Sequence, residues 1–554
     1  MLRKFIFILF ILWSANVFSQ DLGNLKNQKP FQLSGSAMLS LNYYESSNDI
    51  QTYQPFSYLV AVNVTPAVYG FSVPLSFTYT KMNKSFNHPF YRFGLSPTYK
   101  WATLHLGHRS TNFSRFTVSG QKSFGVGIEL TPGKFRFAFM YGKFKKDNAY
   151  KTIYDEELEQ DEYTLKGYAV KLGVGSQKNY FDLVFMHIAD NTDEYSDTSL
   201  QIHPESNVVI SAITQFSIAK NLKFNAEIAA SVFTQNMFAT EYDMDDLPKF
   251  LGKMSDYLNI NTSTSLALAT DVGLEYKLKK FSAGLQYQRI DPGYKSLGTN
   301  FIRNDFEQYA LKSSYKFKTG HINGSIGLMR DNLKNTKISQ ANRLTYTLGV
   351  ALTPPGVFSI TANYSNFSTK QTEGRVPLND TIRLFQVNRN ISVMPQLRFM
   401  SSKSSNIIMA NYTYANLIDK NSFAEYALPV VSNTAFIQYM YSALESGLGI
   451  SANINYTDFK TEFSRITNIG PTVGANKTML KKKGTAQLSF TYLRSNNNSV
   501  KGNIYSARIG YNYKISKSQQ IKFSYFFTKS KYPEDATVVG YNNSRGVLAY
   551  VYKF

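Results

Sequence analysis

The chain has 554 residues, no cysteine, 43% hydrophobic residues and a mean hydropathy of −0.27, values that tell against a bundle of membrane helices. The missing cysteine thiol excludes disulfide scaffolds, thiolate zinc sites and lipoprotein anchoring. A net charge of +22 suits nucleic acid, anionic lipid or mere solubility, and only location separates these.

The opening segment MLRKFIFILFILWSANVFSQ sets Arg3 and Lys4 before an apolar run from Phe5 to Trp13, then small residues at Val17 and Ser19. It reads as a signal peptide over 1–19, too short to span a bilayer as a helix, with a short periplasmic segment expected at 20–30. Removing Arg3 and Lys4 leaves +20. An exported chain has no nucleic acid to meet, and no later stretch is apolar enough for a membrane helix.

From Phe31 the pattern is alternation of period two, because side chains on a strand point to opposite faces. In FQLSGSAMLSLNY, Phe31, Leu33, Ala37, Leu39, Leu41 and Tyr43 share one face, and Gln32, Ser34, Ser36, Ser40 and Asn42 the other. The same reading holds at 266–278, 357–367, 447–456, 503–515 and 520–527. These runs are about ten to thirteen residues long, enough to cross a membrane when tilted and longer than the usual sandwich strand.

Connections alternate between tight turns, at 131–134, 176–179, 219–221, 279–280, 318–320, 354–356 and 481–484, and long polar loops, at 145–162, 190–205, 235–262, 291–305 and 331–342. The expected fold is therefore an all-β, transmembrane, antiparallel up-and-down barrel over 31–554, with about 26 strands (range about 22–26). It belongs in a bacterial outer membrane, with both termini and the tight turns periplasmic and the long loops extracellular. Lipid and lipopolysaccharide are then its surroundings.

The final VLAYVYKF places Leu548, Tyr550, Tyr552 and Phe554 on one face. A last strand ending in phenylalanine resembles the signature by which outer-membrane barrels are presented to their insertion machinery. Segments such as YRFGLSPTYKWATLHLGHRS, GVGIELTPGKFRFAFMYGKF and YQRIDPGYKSLGTNF, in a chain rich in Asn, Lys, Tyr and Phe, resemble Bacteroidota outer-membrane barrels of unassigned role. Alternation that starts near Phe31 disfavours TonB-dependent receptors, which carry a plug before the barrel.

A barrel of this strand number is roughly 50 Å across, too wide to stand open. Its lumen must be flattened, filled by loops or closed by a plug or surface protein in trans. In the 235–262 loop, Asp245 or Asp246 could cap a short helix carrying Phe250, Leu251 and Met254, which either constricts the lumen or packs on other loops. Lumenal candidates are Lys223, Glu227, Asp271, Glu275 and Lys277, with Arg136 and Arg508; they line a path or form a structural charge ladder. In the 291–305 region, Arg289, Tyr294, Lys295 and Arg303 either bind an anionic or sugar ligand or belong to an ordered Asp-Pro-Gly turn.

The acidic run Asp155, Glu156, Glu157, Glu159, Asp161 and Glu162 lacks the spacing of a calcium loop. His105 and His108 lie near Ser110, Ser114 and Ser119, yet no orienting acid can be assigned, so neither catalysis nor a cofactor is expected. Two roles remain on the residues: a loop-restricted or partner-plugged pore for solutes or macromolecules, and a non-conducting structural or docking subunit of an outer-membrane complex.

Overall fold

The computed structural model describes residues 30–47, 55–81, 91–144, 165–192, 203–241, 260–377, 383–421, 429–533 and 538–554. They form one closed antiparallel β-barrel of 26 strands. Each strand pairs with its neighbours in sequence, and the first, Phe31–Ser46, closes the ring by pairing with the last, Asn542–Lys553. Two crossings are broken by proline. Phe71–Ser72 continues Leu75–Thr80 past Pro74, and Thr98–Tyr99 continues Tyr91–Leu95 past Pro97, because proline has no amide proton for the ladder.

All seven tight turns expected from the sequence lie at one end of the barrel, here called the turn side. The other end, the loop side, holds the longer connections but not only those. Connections 461–464 and 498–499 are within the length of the tight turns, and Asn498 and Ser499 both have positive φ, the two-residue geometry that follows strand twist. The rim is therefore low on that part of the wall.

Register fixes the two faces. Ile437 faces Ile454 across a strand pair, and both are largely exposed, at 65% and 61%; Leu183, Ile210, Ile228 and Leu285 belong to the same outer surface. Such side chains are stable only in hydrocarbon, so the barrel spans a membrane. Around them the tyrosine pairs Tyr58/Tyr79, Tyr287/Tyr309, Tyr346/Tyr364 and Tyr492/Tyr505 have ring centroids 5.0–5.7 Å apart. Amphipathic rings settle at the membrane interface.

The inward face is not uniformly polar, in contrast to the expectation from alternation. From Phe135–Phe144 round to Phe306–Phe317 it carries Ala138, Met140, Ala169, Val184, Met186 and Ala269, all buried. Two loops that turn back into the barrel cover them.

Outward and inward positions should respond oppositely to charge. Ile454→Arg, on the lipid face, is expected to cost about 2–4 kcal/mol in urea titrations of protein refolded into vesicles, and Asn453→Arg much less. Equal costs would contradict the assigned register.

Candidate functional site

The inner loop 111–121 connects Ala102–Ser110 to Lys122–Leu130. Its residues Phe113, Phe116, Thr117 and Val118 are buried, the last two at 0% exposure, and Phe113, Phe116 and Val118 belong to the cluster that contains the apolar inward patch. Polar anchors fix it. Ser114 Oγ donates to Glu227 Oε1 at 2.6 Å, and the Phe116 amide donates to the same oxygen at 3.1 Å. Arg115 forms an ion pair with Asp271, which also accepts from Gln286 Nε2 at 3.1 Å. Glu227 and Asp271 stand directly opposite one another on Leu222–Thr234 and Thr264–Lys277. Two facing carboxylates would repel, and the loop brings the donors and the cation that offset this.

The second loop, 291–305, follows Phe281–Ile290 and begins with a tight turn. The Tyr294 amide donates to Asp291 O at 3.2 Å across Pro292 and Gly293, whose φ of 80° suits glycine at the third position of a type II turn. That turn drives Tyr294 into the core at 1% exposure, where its hydroxyl donates to Phe116 O at 2.9 Å. Burial pushes this phenol above its ordinary range, so it remains a neutral donor. Ser296 Oγ donates to Thr117 O at 2.5 Å, and the Ser119 amide to Gly298 O at 3.0 Å. A Cβ on Gly298 would meet Thr117 O at 2.5 Å and Met186 Sδ at 2.6 Å, so glycine permits the close approach.

The wall also holds the second loop. The Leu297 amide donates to Asn207 Oδ1 at 3.1 Å, and Ser231 Oγ to Lys295 O at 2.6 Å. Lys295 pairs with Glu205 at 2.8 Å and sits 4.2 Å from the Phe233 ring centroid. Together the two loops form a half-plug against one side of the barrel.

Towards the turn side of this wall lies a polar zone. Arg136 makes a two-pronged pair with Asp182 at 2.7 and 2.8 Å and stacks 4.4 Å from the Tyr180 ring centroid. Lys223 faces Glu275 across its strand pair, and Lys277 faces Ser282. Lys223, Glu275 and Lys277 are exposed, whereas Asp271 is buried beneath the inner loop. Arg508, on Val500–Lys514, lies 5.8 Å from the Phe526 ring centroid, far from the others along the sheet. The register thus brings Lys223, Glu227, Asp271, Glu275 and Lys277 together, with Arg136 nearby and Arg508 apart.

Of the loop candidates, Tyr294 and Lys295 are anchors of the half-plug. Arg289 pairs with Asp291 at 3.2 Å, and Arg303 lies 5.2 Å from the Phe306 ring centroid. Asp245, Asp246, Phe250, Leu251 and Met254, with the acidic run at 155–162, lie outside the described residues. His105 has the acid that sequence did not supply: its Nε2 is 3.2 Å from Glu129 Oε1, and its Nδ1 is 2.8 Å from Ser96 Oγ. Ser96 is only 5% exposed, which closes its hydroxyl to a lumenal substrate; the trio bridges strands at the turn side. No group of three or more metal-binding side chains occurs among the described residues.

Ser114, Arg115 and Phe116 are the residues that sequence reasoning missed as anchors. A signal existed in YFDLVFMHIAD, apolar on both faces, which is the pattern of a strand covered on both sides.

The opposite wall differs in chemistry. From Phe358–Glu373 to Gly484–Asn497 the inward faces carry Asn388, Asn390, Thr413, Asn455 and Thr472, with ionisable groups only near strand ends, as at Glu373, Arg398 and Asp419. These amides and hydroxyls bond to one another. Thr413 Oγ1 donates to Ser392 Oγ at 3.3 Å, Asn455 Nδ2 to Thr472 Oγ1 at 3.0 Å, and Thr472 and Thr491 share a bond of 2.8 Å. None is covered by a described loop.

No family model matches the chain, and no curated protein matches it in sequence. Among solved structures it is similar to the translocation pore of the P pilus usher PapC, at 10% identity and TM-score 0.39 over 94% of this chain and 98% of that one. It is also similar to the FrpB iron transporter from Neisseria meningitidis, at 11% identity and TM-score 0.37 over 97% and 83%. OccAB2 of Acinetobacter baumannii matches at 9% identity and TM-score 0.32 over 64% of this chain and 92% of that one. At these scores the likeness carries no argument about role.

Tyr294→Ala removes a buried ring and a hydrogen bond, and is expected to cost about 3–5 kcal/mol in urea titrations, against about 1 kcal/mol for Tyr294→Phe. Equal stabilities would place the ring outside the core. Gly298→Val should separate the loops and make 111–121 a protease-sensitive site, with the barrel itself intact on gels. Continued resistance would contradict the close approach.

Proposed function

We propose that the protein is an outer-membrane pore narrowed from one wall by its own loops, leaving a path for uncharged hydrophilic solutes along the other. The observation that carries this is the division of the lumen into a covered apolar wall and a wall of amides and hydroxyls that no described loop covers. A covered wall resists collapse and solvent entry; a neutral hydrogen-bonding wall lets a hydrated solute exchange partners with little electrostatic cost. On this reading the turn side and both termini face the periplasm, and the loop side faces outward.

Charge placement sets the selectivity. Asp182 and Asp271 are neutralised by Arg136 and Arg115, and Glu227 is held by Ser114 against the inner loop. Inward-facing Arg508, Lys522 and Arg545, near the seam of the barrel, are exposed. Lysines of the turns, such as Lys220, Lys279 and Lys481, lie beyond the pore. A weak anion preference follows.

Planar-bilayer recordings test the proposal. Steady openings with weak anion preference are expected, and replacing 112–120 by a short Gly-Ser linker should raise conductance. Strong cation selectivity would remove the assigned charge placement. A silent barrel that co-purifies with a stoichiometric protein would overturn the pore and favour a docking subunit.

A further inference from the structure

The chain carries no Asp or Glu between Glu462 and Glu534, a stretch that supplies four complete neighbouring strands, the last three being Gly484–Asn497, Val500–Lys514 and Gln519–Lys531. Four cations stand on their outer faces at the loop side. The alternation that points Leu488, Phe490, Ile509 and Phe523 into lipid also points these four cations outward, Lys529 level with the ring of tyrosines and Arg494, Lys531 and Lys501 one or two steps nearer the rim. Register gathers them. Arg494 and Lys531 both stand opposite Asn503, Lys501 stands opposite Asn496, and Lys529 stands opposite Tyr505.

Beneath the cations, the Tyr492 and Tyr505 rings lie 5.5 Å apart, and Tyr492 OH donates to Asn503 Oδ1 at 2.8 Å. The nearest outward carboxylate on the loop side of the preceding strands, Asp458, already accepts from Arg465 at 2.9 and 3.2 Å. Because 498–499 is a two-residue turn, no long loop rises between two of these strands to cover the patch. A cluster of cations fixed at the height where rings meet headgroups is worth little in plain water, since the charges repel one another. It is stabilised by a ligand that has acyl chains for the apolar surface below and phosphates for the cations.

We propose that Arg494, Lys501, Lys529 and Lys531 form an exterior site for the phosphates of an anionic glycolipid of the outer leaflet, with its acyl chains on Phe490, Ile509 and Phe523. The site rests on the assignment of the loop side to the outside of the cell, but not on conduction.

The test uses the full-length protein in nanodiscs. Phosphorylated lipid A is the probe; dephosphorylated lipid A and inorganic phosphate are the comparison arms. Wild type should retain phosphorylated lipid A through native mass spectrometry, and replacing the four cations by Gln should weaken its binding roughly a hundredfold. Gln at Lys279, Lys280, Lys481 and Lys482, on the turns, should leave binding unchanged. Restoring Lys at 494 and at the three lysine positions should recover it, which separates lost charge from lost folding. Equal retention of dephosphorylated lipid A, competition by inorganic phosphate at equal concentration, or an equal loss in the turn variant would overturn the proposal. Labelling of Asn498→Cys on intact cells with an impermeant reagent reports the orientation separately, so its failure is distinguishable from failure of the site.

Discussion

Every feature of this molecule follows from one constraint: inside a bilayer each backbone N–H and C=O must find a partner within the protein. Strands meet it only when their sheet has no edge, so Phe31–Ser46 must pair with Asn542–Lys553. Closure at 26 strands then fixes a wide lumen, which side chains alone cannot fill. The 111–121 and 291–305 loops answer that second demand from within the chain. They do so at one wall, and no described loop covers the wall opposite.

The half-plug combines apolar burial with polar fixation, and neither suffices alone. Val118, Phe116 and Tyr294 bury area against Met186 and Ala269, which is non-directional. Glu227, Asp271 and Asn207 supply direction, because each accepts from a defined donor on a loop. The facing carboxylates are costly without Arg115 and Ser114, and so they couple the position of the inner loop to the wall. Function on this account lies in the division of the barrel, with fixed structure on one side and exchangeable hydrogen bonds on the other.

Much of the barrel was legible in the sequence because strand geometry writes itself as period two. Leu266, Leu268 and Leu274 alternate with Ala267, Ala269 and Gly273, and tight turns announce themselves with residues such as Pro132 and Gly133. The inner loops were not legible. TNFSRFTVSGQ is short and polar enough to pass as a rim connection, and nothing local says that Phe116 turns inward; that depends on Ala138, Val184 and Met186, far along the chain. Glu227 and Asp271 were recognisable as inward neighbours by register, but their partner, Arg115, comes from a loop that alternation does not describe. The same limit explains His105, whose neighbours Ser96 and Glu129 are brought to it by pairing of strands.

Hydrogen exchange of the inner loops, with the barrel in lipid bilayers, tests the account most directly. The amides of Phe116, Ser119 and Leu297 are bonded to Glu227, Gly298 and Asn207, and should be protected as strongly as those of the strands beneath them. Exchange of these three amides at the rate of a solvated loop, while strand amides stay protected, would contradict a lumen narrowed by its own loops.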